Sequence, residues 1–135
     1  MLERGSIVAL RGPLGAGKTC FVKGLARGLG IDEELTSPTY TIIAEYEGIL
    51  CADTAEERAL RQERVPLYHV DAYRLDGDDD FSSLGGEEIV FGNGISVIEW
   101  SERIPGFVPP WAFTVDIEIQ SDDKRLIRVY RGEKE

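Results

Sequence analysis

The first 30 residues place an apolar pentapeptide, a glycine-rich loop and an amphipathic segment in immediate succession. Residues 6–10 are short, apolar and rich in branched side chains, which predicts a buried strand. From Lys18 onward, apolar residues recur at helical spacing, and Gly30 marks the predicted helix end. A strand, a loop and a helix in this order favour an α/β fold built on a buried sheet.

The loop between this strand and helix matches the phosphate-binding P-loop pattern, with Gly12, Gly17, Lys18 and Thr19 at its specified positions. Backbone N–H groups of such a loop converge on a phosphate, and the positive end of the following helix adds to the attraction. We expect Lys18 to reach the β- and γ-phosphates of a nucleotide and Thr19 to bind Mg²⁺. The predicted nucleotide-binding residues are Gly12, Pro13, Leu14, Gly15, Ala16, Gly17, Lys18, Thr19 and Cys20.

Two further apolar segments are predicted strands: residues 67–71 end in Asp71, and residues 95–100 carry Glu99 at their end. A carboxylate that closes a buried strand is costly unless it faces a cation or solvent at the carboxyl edge of the sheet. Both acids are therefore candidate catalytic residues and Mg²⁺ ligands, together with the catalytic candidate Lys18. We assign Asp71 to the metal, and Glu99 to the attacking water or to the groups that surround the metal ligands. The same reasoning allows the two roles to be exchanged.

Three other residues are candidates for roles at the same site. Thr39, next to Pro38, lies where GTPases carry the loop that senses the γ-phosphate, so it is a candidate second Mg²⁺ ligand, with an ordinary turn as the alternative. His69 is predicted to be a packed, hydrogen-bonded side chain rather than a catalytic base. Trp100 is a candidate partner-binding residue, and core packing is the alternative.

The rest of the chain is predicted to complete one domain, residues 1–135. Residues 113–119 and 125–131 alternate with a period of two and predict an antiparallel hairpin. The charged residues 53–64 predict an exposed short helix or a mobile hairpin tip, and the acidic residues 76–80 predict a solvated loop. The predicted fold class is therefore α/β: a P-loop NTPase-like mixed sheet with flanking helices and a C-terminal antiparallel hairpin.

The charge distribution excludes some classes of partner. The formal net charge is −10, yet residues 1–30 carry five basic residues and one acid. An acidic body argues against unaided binding of nucleic acid, whereas the basic start suits a small phosphate ligand. No apolar run approaches the roughly 20 residues that a membrane span needs. The two cysteines, Cys20 and Cys51, lack metal-ligand spacing and favour a reduced, cytoplasmic setting.

Four motifs occur along the chain in a fixed order: Gly15-Ala16-Gly17-Lys18-Thr19, Ser37-Pro38-Thr39-Tyr40, His69-Val70-Asp71-Ala72-Tyr73-Arg74 and Glu99-Trp100-Ser101-Glu102. Together they resemble the bacterial ATPases of tRNA threonylcarbamoyladenosine biosynthesis, the TsaE family. The P-loop by itself is shared by many families, whereas the four motifs together are specific. The resemblance extends from residue 5 to about residue 130.

This resemblance implies a small cytoplasmic P-loop ATPase that uses ATP and Mg²⁺. It implies binding to the threonylcarbamoyl-transferase subunit and its homologous partner, which the ATPase activates or resets without performing the transfer itself. tRNA is then reached only through these partners, and no membrane is involved. By the same resemblance, the nucleotide and Mg²⁺ residues are Lys18 and Thr19, the switch-like threonine is Thr39, the Walker-B-like acid is Asp71, and the functional Glu-Trp pair is Glu99 and Trp100.

Two departures and two alternatives accompany the resemblance. Residues 49–64 look like an exposed insertion between two strands that the family normally joins by a tighter hairpin. Members of the family usually carry a further helix ahead of the first strand. This sequence starts almost at the strand, so either its start is misplaced or that helix is missing. A small-molecule kinase also fits a P-loop, but the arginines at residues 58–64 are offset by acids and make a poor phosphate lid. A non-hydrolysing nucleotide switch fits as well, and an assay of hydrolysis with and without the partners separates the three.

Overall fold

The computed structural model describes residues 4–13, 17–31, 43–50 and 63–131. None of the helices in these ranges is long and apolar enough to cross a membrane. The described strands are β1 (Ile7–Arg11), β2 (Ile43–Leu50), β3 (Glu63–Asp71), β4 (Ile95–Glu99), β5 (Phe113–Ser121) and β6 (Lys124–Arg131). The described α-helices are α1 (Lys18–Gly28), α2 (Asp78–Ser83) and α3 (Gly86–Val90), and two 3₁₀ turns, Ser101–Arg103 and Pro105–Phe107, follow β4.

The six strands form one mixed sheet in the order β2-β3-β4-β1-β5-β6. The four central strands are mutually parallel, and β2 and β6 run antiparallel to their neighbours at the two edges. The carboxyl ends of β3, β4, β1 and β5 therefore meet at one edge of the sheet, where α/β proteins bind their ligands. The mixed sheet, its flanking helices and the terminal hairpin confirm the predicted architecture.

Both faces of the central strands are covered, which is why these strands are almost continuously apolar in sequence. On one face, Val22 and Ala26 of α1 share a buried cluster with Leu10 of β1 and Val97 of β4. On the other face, Phe81 of α2 and other apolar side chains pack against the sheet. The sheet is thus a buried layer between α1 on one side and α2, α3 and the 3₁₀ turns on the other.

The end of α1 follows the predicted glycine stop. Gly30 has a φ of 73°, a left-handed conformation that glycine adopts without steric cost. The N–H groups of Gly30 and Ile31 donate to the carbonyls of Arg27 and Ala26, both at 3.0 Å, and so satisfy carbonyls at the helix end. The turn leaves the carbonyl of Leu29 free to accept the N–H of Ile49 in β2 at 2.7 Å, which ties α1 to the edge of the sheet.

The prediction of a solvated loop at residues 76–80 is wrong for its last three residues, which begin α2. Asp78, Asp79 and Asp80 form the first turn of that helix. Carboxylates are favourable there because they face the unpaired N–H groups and the positive end of the helix dipole. The Asp78 carboxylate also accepts the N–H of Gly106 at 3.1 Å, which joins α2 to the turn beyond β4.

The edges of the predicted insertion at residues 49–64 also differ from expectation. Ile49 pairs with Arg64 and Leu50 with Glu63, so two residues at each end of the segment belong to β2 and β3. The ladder continues outward because each further pair satisfies backbone N–H and C=O groups of both strands. Residues 51–62 lie outside the described residues, and their character as an exposed insertion stays a prediction.

Candidate functional site

Asp71 and Glu99 lie side by side at the carboxyl edge of the sheet. They are direct partners in the parallel pairing of β3 with β4, and Glu99 is also opposite Leu10 of β1. Residues in register on neighbouring strands point to the same face of a sheet, and Leu10 belongs to the cluster that α1 covers. The two acids predicted from the strand ends are therefore brought together on the face where the P-loop and α1 follow β1.

The structure describes both ends of the predicted P-loop. Gly12 has a φ of 155° and Gly17 a φ of 102°, conformations that strain other residues. Gly17 precedes α1 directly, and a Cβ atom built on it has no neighbour within 4 Å, so the backbone conformation rather than crowding requires glycine there. Pro13 and Cys20 are exposed. Leu14, Gly15, Ala16 and the side chain of Thr19 lie outside the described residues, as do Ser37 and Thr39.

Lys18, the first residue of α1, is only 6% exposed. Its Nζ atom donates to the carbonyl of Gly12 at 2.8 Å and lies 3.7 Å from the centre of the Trp100 ring, a cation–π distance. Burial lowers the pKa of Lys18 from its ordinary value, while the negative charges of Glu99, Glu102 and Asp71 raise it in part. Since charges interact more strongly away from water, a poorly hydrated cation such as Lys18 is suited to bind an anionic ligand.

Glu99 is buried as well, at 6% exposure, and it contacts the single histidine of the chain. Nε2 of His69, which is 1% exposed, lies 2.5 Å from Oε2 of Glu99. In the tautomer that carries its proton on Nε2, His69 donates this hydrogen bond to the carboxylate. The expectation that His69 is packed and hydrogen-bonded is therefore confirmed, and its partner is one of the predicted site residues.

Asp71 is half-buried, in contrast to Glu99. One oxygen of its carboxylate accepts the backbone N–H of Tyr73 at 3.1 Å, so the side chain stabilises the turn that leaves β3. The N–H of Ala72 donates to the carbonyl of Glu99 at 3.0 Å, which keeps the two strand ends together beyond their last paired residues. Asp71 is the more accessible of the two acids, and Glu99 is the more tightly held.

Trp100 is half-buried at the centre of a row of stacked groups. The ring of Trp100 lies 4.8 Å from the ring of Tyr73. The Arg103 guanidinium in turn lies 5.3 Å from the centre of the Tyr73 ring. Lys18, Trp100, Tyr73 and Arg103 thus form a continuous row, which we call the aromatic column. The column connects the predicted phosphate site with the surface, where Tyr73 is 47% exposed.

The backbone of Trp100 is unusual. Among the described residues it is the one non-glycine residue with a positive φ, at 59°. A bulky side chain in the left-handed region costs free energy, and such strain persists where the surrounding structure determines it. The side chain contacts both Lys18 and the buried cluster on the α2 face, so both alternatives raised for Trp100, a functional and a packing role, have a structural basis.

Arg11, a charged residue near the site, escaped the sequence analysis. Nε of Arg11, at the end of β1, lies 3.9 Å from carboxylate oxygens of both Glu102 and Asp116. The 3₁₀ turn after β4 brings Glu102 back toward the P-loop end. Arg11 follows an apolar strand directly, as Asp71 and Glu99 end theirs, so the strand-end argument applied to the acids identifies this cation too.

The carboxylates present suit Mg²⁺. This ion keeps several waters and is commonly held by one or two carboxylates together with substrate phosphates, rather than by a complete protein cage. In the described part of the chain, no three His, Cys, Asp or Glu side chains converge as a metal cluster. Asp71 and Glu99, adjacent at the strand ends, match this smaller ligand set.

Comparison with known proteins matches this chain to the family that its sequence motifs resemble. The family model described as "Threonylcarbamoyl adenosine biosynthesis protein TsaE" matches residues 1–128. The tRNA threonylcarbamoyladenosine biosynthesis protein TsaE of Treponema pallidum is 46% identical over 129 residues, which cover 96% of this chain and 84% of that protein. The protein of the same description from Bacillus subtilis is 40% identical over 124 residues, covering 91% and 68%.

A solved structure is similar over almost the whole chain. The crystal structure of YdiB from Bacillus subtilis aligns with a TM-score of 0.67 at 34% sequence identity, covering 98% of this chain and 71% of that one. This similarity confirms the predicted fold class, a P-loop NTPase-like mixed sheet with flanking helices.

The lowered pKa of Lys18 predicts a pH-dependent stability difference between the wild-type protein and Lys18→Met. Because the folded state disfavours the charged amine, the wild type bears a free-energy cost at neutral pH that the variant does not. The unfolded chain binds more protons between the lowered pKa and the ordinary value of 10.5, so wild-type stability recovers as the pH rises through that window.

We therefore expect Lys18→Met to be more stable than the wild type at neutral pH, with an advantage that shrinks as the pH approaches 10.5. Urea unfolding midpoints over this range measure the difference, and Lys23→Met on the exposed side of α1 controls for replacing a lysine in this helix. If the stability advantage of Lys18→Met over the wild type stays constant or grows with pH, the pKa of Lys18 is not lowered in the folded protein.

Proposed function

The chain belongs to the TsaE family and is involved in tRNA threonylcarbamoyladenosine biosynthesis, and on this premise we propose that it is a Mg²⁺-dependent ATPase that activates or resets the threonylcarbamoyl-transferase complex. Hydrolysis is slow in the isolated protein and faster when the transferase subunit and its homologous partner dock. The observation that carries the proposal is the placement of Lys18, a buried ammonium at the start of α1 beside two strand-end carboxylates.

The phosphates of ATP would lie at the start of α1. The unpaired N–H groups of the first helical turn and the positive end of the helix dipole attract them. Lys18 would exchange its contact with the neutral Gly12 carbonyl for phosphate oxygens, because hydrogen bonds between ionised groups are stronger. Burial of Lys18 strengthens its preference for phosphate oxygens, since charges interact more strongly away from water.

Hydrolysis requires a water molecule in line with the bond that breaks. The water oxygen forms a bond to the γ-phosphorus, the bond between that phosphorus and the β–γ bridging oxygen breaks, and ADP and inorganic phosphate leave. Glu99 orients the water by accepting its hydrogen bond, and Lys18 stabilises the charge that develops on the phosphate oxygens. Mg²⁺, when bound, neutralises charge on the β- and γ-phosphates.

Asp71 is the better candidate for the metal ion. It is half-buried and lies at the open edge of the sheet, whereas Glu99 is buried and bonded to His69. We assign Thr19 as the hydroxyl ligand of Mg²⁺ and Thr39 as a second ligand that responds to the γ-phosphate.

The protein would meet its partners near the nucleotide, at the exposed end of the aromatic column. Aromatic and arginine side chains contribute disproportionately to protein interfaces, and Trp100, Tyr73 and Arg103 supply them at one place. The net charge of −10 argues that tRNA is reached through these partners and not directly. We further propose that the protein works in the cytoplasm and not at a membrane, in keeping with its family and with two cysteines that lack metal-ligand spacing.

The first test is the loss of hydrolysis in Lys18→Met. Removal of one group that stabilises transition-state charge typically lowers kcat by about two to three orders of magnitude. Release of phosphate from Mg-ATP, with and without the transferase complex, measures the effect, and Lys23→Met is the matched control. If Lys18→Met hydrolyses ATP at the wild-type rate, Lys18 does not serve an ATPase site. If the wild-type protein binds ATP but hydrolyses none, alone or with the transferase complex, the protein is a nucleotide switch.

A second test separates the roles of the two acids. Asp71→Asn keeps the shape of the side chain but removes a negative charge from the metal site, so the Mg²⁺ concentration for half-maximal rate should rise. Glu99→Gln should lower kcat and leave the Mg²⁺ dependence close to that of the wild type. Titration of the hydrolysis rate with Mg²⁺ at saturating ATP distinguishes these outcomes, and the reversed pattern means that the two roles are exchanged.

A third test concerns the docking of partners at Trp100. Truncation of an interface tryptophan typically costs about 2 kcal/mol or more, so Trp100→Ala should weaken binding of the transferase complex roughly 30-fold. Trp111→Ala is the control, because Trp111 is 47% exposed and lies just before β5, at the opposite edge of the parallel strands. Binding is measured by titration without nucleotide, on proteins whose melting temperatures have been compared. If Trp100→Ala and Trp111→Ala weaken binding of the transferase complex equally, the complex does not dock at Trp100.

A further inference from the structure

The hydrogen bond between His69 and Glu99 joins the apolar layer beneath α1 to the candidate site. His69 lies on β3 opposite Val97 of β4, and Glu99 lies two residues further along β4, on the same face. The residues that precede the pair on this face, Leu67 and Val97, are fully buried. On this face of β3, His69 is thus the last buried side chain before the strand end, and its Nε2 points outward to the carboxylate of Glu99.

The His69–Glu99 pair costs more free energy of folding than apolar side chains at the same positions would. A carboxylate that is 6% exposed loses most of its hydration, and one hydrogen bond replaces only part of what water provides. Within the described residues, Nδ1 of His69 is buried and has no hydrogen-bond partner, so the directional contact of the ring is the one to Glu99. An apolar residue like Leu67 or Val97 would fill the position of His69 without these costs.

We infer that His69 is a positioning residue, which holds Oε2 of Glu99 through Nε2–H and so directs the second carboxylate oxygen to the attacking water. The terminal torsion of a glutamate is broad, so the carboxylate plane is poorly defined without such a partner. Misplacement of a catalytic group by about 1 Å is enough to lower a rate severely. The inference rests on the proposed ATPase function and adds the residue that orients its water-binding carboxylate.

The kinetic test compares three substitutions of His69. His69→Gln keeps an N–H donor at nearly the reach of Nε2, His69→Asn keeps an amide that is too short, and His69→Leu removes the donor and keeps the volume. We expect His69→Leu and His69→Asn to lower kcat by about 10- to 100-fold, the range found for supporting residues around active centres. The KM for ATP should stay near the wild-type value, and His69→Gln should retain most of the wild-type kcat.

Ser96→Ala is the matched control for the deletion of a buried polar group. Ser96 lies on β4, and its hydroxyl is buried with no partner among the described residues. This variant should keep the wild-type kcat, because nothing at the site depends on that hydroxyl. Melting temperatures of all variants show whether each is folded, and the comparison of His69→Gln with His69→Asn still decides the question if His69→Leu does not fold.

A second measurement needs no nucleotide and uses the fact that the chain has one histidine. The imidazole signals in ¹⁵N–¹H NMR spectra therefore belong to His69 without further assignment. We expect a slowly exchanging, strongly downfield Nε2–H proton, because the group is buried and bonded to a carboxylate. It should move upfield in Glu99→Gln and stay in place in Asp71→Asn, which changes the neighbouring acid only.

The possible results separate this inference from the proposed function. The inference is overturned if folded His69→Leu or His69→Asn hydrolyses ATP at the wild-type kcat, if either raises KM alone, or if His69→Gln loses as much rate as His69→Asn. An imidazole proton that does not respond to Glu99→Gln also overturns it. A wild-type protein that binds ATP and never hydrolyses it, alone or with the transferase complex, overturns the proposed function first and the positioning role with it.

Discussion

The buried ammonium group of Lys18 is the constraint on which the geometry of the site depends. Burial disfavours its charge, and the lowered pKa shows that three neighbouring carboxylates compensate only in part. The Gly12 carbonyl and the Trp100 ring occupy two sides of the ammonium group. Such a cation gains more from a phosphate than from either of these neutral partners. The contacts of Lys18 therefore favour exchange of its neutral partners for an anion.

The same constraint gives a reason for the strained backbone at Trp100. With a φ of 59°, this residue turns the chain sharply after β4 and lets its ring lie over Nζ of Lys18. Ordinary extended backbone would carry the chain straight on past the sheet edge. The cost of the left-handed conformation is offset by packing of the ring against Tyr73 and against the buried cluster on the far face of the sheet.

Sequence reasoning located the acids but not the contact between Glu99 and His69. Asp71 and Glu99 each end an apolar run, and parallel strands end at one edge, so their proximity follows from the pattern alone. The contact between His69 and Glu99 is diagonal: His69 faces Val97, two residues before Glu99. Only the register of β3 against β4 fixes it, and register between strands that are distant in sequence is not encoded in either strand by itself.

Other differences between the predicted and the observed structure have local causes, which the spacing of apolar residues does not reveal. The aspartates of α2 form a helix because their charges suit its first turn, although their composition is that of a loop. The positive φ of Trp100 contradicts the preference of its side chain, so no propensity argument could have placed it. The clusters on both faces of the sheet, by contrast, follow ordinary rules. Departures from those rules accumulate at one sheet edge, in a buried lysine, a buried glutamate–histidine pair and a left-handed tryptophan, and such accumulation is expected where function rather than stability has selected the residues.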